Sequence, residues 1–165
     1  HTVQVREENQ ENLDILDCLI AAGRDVETRD RGRSTPLMHA ALRGKQETAQ
    51  KLLEAGAKAD ATDSVGWTPL HFAARDESGL EVLRLLIESH NEVDIPDNGG
   101  TTPLMVAASY DNSEATQLLL NMGANVNRAD NTGRNAYEYT VLKNASSAKR
   151  LLEEVREKSK SSKAP

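Results

Sequence analysis

The 165 residues hold 20 Lys and Arg against 26 Asp and Glu, a formal net charge of −6 at pH 7, with one Trp, one Phe and three Tyr. Acidity without a basic, aromatic-interleaved stripe argues against nucleic acid as a partner, and no apolar run approaches the roughly 18 residues a membrane span requires. A core this poor in aromatics must come from Leu, Ala, Val and Ile, and the single cysteine, Cys18, forms no internal disulfide, which places the chain in a reducing compartment, cytoplasm first and nucleus as the alternative.

Taken in order, the chain opens at His1 without a charged-then-apolar leader, and with its Ser/Lys end it reads as a segment cut from something longer. Thr2 to Gln10 is polar and Leu13 to Ala22 apolar-rich, running into Gly23, Arg24, Asp25 and Val26; alignment with the repeat described below implies that they are the two helices of a further unit. At Thr35 a good N-cap meets Pro36, whose missing N–H costs nothing at the first helical position. Leu37, Ala40 and Ala41 share one face of that short helix, and Gly44 ends it in a left-handed turn. A second helix runs from Gln46 to Ala55 with Ala49, Leu52 and Leu53 as its apolar stripe. Gly56 closes it, residues 57–62 lead out extended, and Asp63-Ser64-Val65-Gly66 supplies a tight turn, so the extended segments fold into a short hairpin.

The same pattern then recurs. Thr35-Pro36-Leu37-Met38-His39-Ala40-Ala41 returns as Thr68-Pro69-Leu70-His71-Phe72-Ala73-Ala74 and Thr102-Pro103-Leu104-Met105-Val106-Ala107-Ala108, at intervals of 33 and 34 residues. A period of that length means that each unit buries its apolar face against its neighbours, giving a stacked array rather than a single globule. Three irregularities stand out: an extra residue within Asp76–Gly79 that must bulge the turn, His90 where a glycine would take the left-handed conformation, and Arg33 where the first hairpin expects glycine, Gly32 lying one place early. Downstream, Asp130 to Arg134 restarts the hairpin, Asn135-Ala136-Tyr137-Glu138-Tyr139 replaces the Thr-Pro-Leu stretch, and the next helix is charged with Lys149, Arg150, Glu153 and Glu154. Residues 157–165 read as a disordered linker.

The Thr-Pro-Leu-His-x-Ala stretch resembles the opening of the inner helix of the ankyrin repeat. The resemblance covers nearly the whole chain and implies an all-α repeat solenoid of helix-turn-helix units joined by β-hairpin loops, about five units in all. Full repeats fall at 30–62, 63–96 and 97–129, an N-terminal capping repeat at 1–29 and a C-terminal one at 130–156, whose solvated outer faces would close the array. It also implies a monomer that binds a protein or peptide partner through hairpin tips and the concave inner-helix face. Carried onto this sequence, the partner-binding positions are Arg31, Arg33, Ser34, Leu42 and Arg43; Val65, Trp67, Arg75 and Asp76; Thr101, Tyr110 and Asp111; and Arg134 and Lys143. Leu42, Trp67 and Tyr110 on successive units would form an apolar ridge flanked by Arg43 and Arg75, residue types that dominate binding energies. Charge is uneven along the chain: Arg24, Arg29, Arg31, Arg33, Arg43 and Lys45 face only Asp25, Glu27 and Asp30, whereas between Asp76 and Asp97 Arg84 is the sole cation among acidic residues.

No catalytic, cofactor or metal site is expected. His39, His71 and His90 have no ligand at helical spacing, and the resemblance gives His71 a structural role, bonding the neighbouring turn. Cys18 falls in a stripe column with Lys51, Leu85, Leu118 and Leu151 and has no nearby histidine. Gly-Arg-Ser-Thr at 32–35 lacks the spacing and the lysine of a phosphate loop. Asn127 resembles an asparagine that some members present for hydroxylation, but Asn125 stands where an acidic residue is usual. Two functions remain: a non-catalytic interaction module acting as scaffold, adaptor or regulator, or the recognition or autoinhibitory arm of a larger enzyme, transporter or channel.

Overall fold

The computed structural model describes residues 25–161. The expected helices before Gly23, Cys18 and nearly all of the N-terminal cap lie outside the described residues, as do 162–165. Among the described residues the elements are α1 (Pro36–Leu42) and α2 (Gln46–Glu54), α3 (Pro69–Ala74) and α4 (Leu80–His90), α5 (Pro103–Ser109) and α6 (Ser113–Asn121), and α7 (Ala136–Lys143) and α8 (Ser146–Ser161), with a 3-10 turn at Glu77–Gly79. The odd-numbered helices pack side by side as an inner row and the even-numbered ones as an outer row, each pair being one repeat. Helix α8 runs past position 156, where the last repeat was expected to end, to Ser161.

Small residues let the inner helices approach closely. Ala41, Ala74 and Ala108 are fully buried, with Leu37, Leu52, Leu83, Leu104 and Leu119 filling the space between the rows. Each such leucine contributes about 2 kcal/mol by leaving water. The threonine N-caps Thr35, Thr68 and Thr102 are buried as well. Three residues on from each cap, a side chain takes up the cap's own N–H: Met38 Sδ at 3.4 Å, His71 Nδ1 at 3.1 Å and Met105 Sδ at 3.4 Å, while Glu138 Oε2 does so for Asn135 at 2.7 Å.

The connecting loops are hairpins, but no strand is formed among the described residues. The reason is that an aspartate at the head of each loop consumes the donors a ladder would need. One carboxylate oxygen accepts N–H groups two and four residues on: Gly32 and Ser34 for Asp30, Val65 and Trp67 for Asp63, Gly99 and Thr101 for Asp97, Thr132 and Arg134 for Asp130, all between 2.8 and 2.9 Å. Successive tips are then tied together, Ser64 N–H donating to Gly32 O at 3.0 Å, Asn98 N–H to Val65 O at 3.1 Å and Asn131 N–H to Gly99 O at 2.8 Å.

The irregularities resolve physically. The extra residue is absorbed by the 3-10 turn, where Asp76 accepts from Ser78 N–H at 2.9 Å. His90 takes no left-handed conformation, contrary to expectation: α4 continues through it and Asn91, with φ of 60°, makes the turn one residue later, as asparagine tolerates. Arg33 does occupy the glycine position, with φ of 62°.

Candidate functional site

The positions expected to contact a partner divide into those that hold the stack and those that face solvent. Trp67 belongs to the first group. Half-buried on the hairpin arm, it stacks on His71 with centroids 5.8 Å apart, meets Phe72 edge-on at 5.1 Å, and donates its indole N–H to Asp97 Oδ2 of the next hairpin at 3.0 Å. It precedes α3, whereas Leu42 ends α1 and Tyr110 caps the end of α5, so Trp67 lies at the opposite end of the inner row. The expected ridge of Leu42, Trp67 and Tyr110 is therefore not continuous.

His71 is equally committed. Its Nδ1 accepts from Thr68 N–H, which leaves Nε2 protonated to donate to the carbonyl of Thr101 at 3.0 Å in the next unit. Burial pushes this imidazole below its ordinary value, outweighing the upward pull of the Thr101 bond and of Asp97 and Asp63. Thr101 is half-buried and Ser34 likewise, its N–H and carbonyl both bonded to Asp30.

Asp111, placed on the binding face by sequence, turns inward. Left-handed at φ of 55°, it accepts Ser147 and Ala148 N–H at 2.9 and 2.8 Å and so caps the start of α8. Asp76 is exposed, and its hydrogen bonds from Ser78 hold its carboxyl below the usual value. At Asp130 burial opposes the charge, but bonds from the Thr132 and Tyr139 side chains and from Arg134 and Thr132 N–H prevail and hold the carboxyl at about 2.

What remains facing solvent is a coherent set. Tyr110 is 53% and Val65 55% exposed. The guanidinium of Arg75, which caps α3, lies over the Tyr110 ring with Cζ 5.1 Å from its centroid, joining neighbouring units at the ends of their inner helices. Leu42 is half-buried beside exposed Arg43 at the end of α1, and Lys143 occupies the last turn of α7. Arg31 and Arg33 stand exposed on the first hairpin, Arg134 on the last.

Two surfaces escaped the sequence reading. Val141 and Leu142 at the end of α7 are 51% and 57% exposed, although Val141 is the counterpart of the buried alanines of earlier units, its side chain having no further inner helix against it among the described residues. Across the outer row runs a groove of 510 Å³ lined by Leu80, Arg84, Glu114, Gln117, Leu118 and Arg150 among others. The leucine spacing along the outer helices was the available signal for it. Among the described residues there is no cluster of metal-ligating side chains, and no helix is long and apolar enough to cross a membrane.

A family model described as ankyrin repeats (3 copies) matches residues 5–97 and 77–162. Rabankyrin-5 of Mus musculus is 38% identical over 117 residues, 70% of this chain and 10% of that protein. Neurogenic locus notch homolog protein 1 of Xenopus tropicalis is 32% identical over 149 residues, 88% of the chain and 6% of that protein. The ankyrin repeat protein nuc-2 of Neurospora crassa is 27% identical over 136 residues, 82% of the chain and 12% of that protein. The chain thus spans between 6% and 12% of the length of these relatives.

Proposed function

Because the chain belongs to the ankyrin repeat family, whose arrays are generally protein-interaction modules, we propose that it is a non-catalytic binding module that engages a protein partner with the hairpin tips and the ends of its inner helices. The Arg75–Tyr110 pair carries this reading: an arginine and a tyrosine from successive units, stacked on each other and open to solvent. Arg and Tyr are the residue types over-represented where binding energy concentrates. Polar groups in the interior support it too, since among the described residues no buried side-chain nitrogen or oxygen lacks a hydrogen-bond partner, and the buried base, His71, is spent on Thr68 and Thr101. Such an interior holds no group in reserve for chemistry. A monomer acting in cytoplasm or nucleus as scaffold, adaptor or regulator is the form this takes.

The test is affinity capture from cell extract with wild type beside a Leu42→Ala, Arg75→Ala, Tyr110→Ala variant whose helical circular dichroism matches. Loss of the captured proteins by the variant is expected. Equal capture by both would remove the inner-helix ends from the interface. Trp67 is left intact, because its loss would unpair Asp97 and confuse unfolding with loss of binding.

A further inference from the structure

We propose that the surface between the hairpin tips and the inner-helix ends receives an acidic, extended polypeptide segment; this rests on the binding-module reading and specifies its partner. The protein is acidic overall, at −6, yet this surface is lined by cations. Arg31, Arg33 and Arg134 lie on the hairpins, and Arg43, Arg75 and Lys143 at the ends of α1, α3 and α7, all exposed. Among the described residues none of the six has a carboxylate within ion-pair distance. The hairpin aspartates keep their charge but spend it on backbone N–H groups, and in Asp30 also on His39, with no contact to these cations within ion-pair distance. Asp76 and Glu77 are exposed at the end of α3, Asp76 being tethered by Ser78 N–H and stabilised as a carboxylate in part by the charge of Arg75.

Tip-to-tip bonds and the Arg75–Tyr110 contact both run along the stacking direction, so a segment must cross several units to meet Arg31 and Arg33 on the first hairpin, Arg134 on the last, and Arg43, Arg75 and Lys143 at the ends of α1, α3 and α7. Guanidinium groups with no carboxylate within ion-pair distance are suited to one, which they grip in bidentate fashion, and the exposed Tyr110 ring offers an apolar or aromatic residue of the segment a place beside Arg75. A polypeptide fits better than a nucleic acid. The bases of a single strand stack on successive aromatic side chains, and among the described residues this face exposes Tyr110 alone.

Fluorescence anisotropy with a labelled random copolymer of Glu and Tyr tests this, against a copolymer of Lys and Tyr and a single-stranded oligothymidylate. The Glu/Tyr copolymer is expected to bind, to weaken as salt rises, and to bind about tenfold or more weakly to an Arg31→Glu, Arg43→Glu, Lys143→Glu variant. A matched Lys58→Glu, Arg84→Glu, Arg150→Glu variant, on exposed positions elsewhere, should bind as wild type, with circular dichroism showing both folded. Equal loss in the two variants, or tighter binding of the Lys/Tyr copolymer or the oligonucleotide, would overturn the inference. Should captured cellular partners depend on Leu42, Arg75 and Tyr110 but not on these reversed charges, the binding module stands and its acidic partner falls; dependence on neither set removes both.

Discussion

Single residues in this chain are assigned to scaffold or to surface by where their polar atoms are spent. Arg33 shows the cost of breaking the repeat rule: a side chain at φ of 62° carries strain of about 1 kcal/mol that glycine at the same position does not. Arg33→Gly should therefore raise the unfolding free energy by roughly 0.5–1 kcal/mol in a urea titration, the relief of strain outweighing the added freedom of the unfolded chain; a lower midpoint would show that the Arg side chain holds the turn. His71 makes stability depend on pH. Its folded value lies below the 6.5 of the unfolded chain, so the unfolded state binds more protons once pH falls below about 6.5, and the stability present above that value drains away as pH drops toward the folded value. His71→Met, which copies Met38 and Met105 at the same place in their repeats, should flatten the loss of thermal midpoint between pH 7 and pH 5. An unchanged slope would assign the acid sensitivity to other groups.

At the scale of elements, the joints between units decide what may vary. Gly44 and Gly56 both have positive φ, 63° and 90°, but a Cβ on Gly44 would sit 2.1 Å from the carbonyl oxygen of Ser78 in the next unit, whereas one on Gly56 meets nothing within 4 Å. Gly56→Ala should cost about 1 kcal/mol, the conformational part alone, and Gly44→Ala about 2 kcal/mol or more beyond that, since backbone must move to admit the methyl. Equal losses in denaturant titrations would mean that the units are not in firm contact there. Much of this level was legible in sequence. Thr-Pro pairs fixed the starts of the inner helices at Pro36, Pro69 and Pro103 because cap and first-turn chemistry is local. The expected hairpin loops are present but form no strand among the described residues, because their N–H groups go to the aspartate side chains and not across a ladder. The shift of the left-handed residue from His90 to Asn91 comes from α4 continuing through His90, which no local pattern states. The bonds of Trp67 and Asp111 within the stack were not legible for a related reason. Their partners, Asp97 and the start of α8, lie 30 residues or more away and are brought near only by stacking.

The molecule as a whole is a row of units in which helices, hairpin tips and inter-helix turns are each bonded to their counterparts next door. Such an array spends its buried polar groups on itself and leaves recognition to what projects. Its projecting set is richer in cations than in acids and carries the Arg75–Tyr110 contact, on a chain that is acidic overall. The outer groove between Arg84, Glu114 and Arg150 is the competing surface, and it differs in lying across the outer helices. Backbone amide shift mapping of the isotope-labelled protein, titrated with the copolymer of Glu and Tyr, distinguishes the two directly. Shifts clustered at Arg31, Arg33, Arg43, Arg75, Tyr110 and Lys143, with α4, α6 and α8 quiet, are the predicted result; shifts centred on Arg84, Gln117 and Arg150 would contradict it.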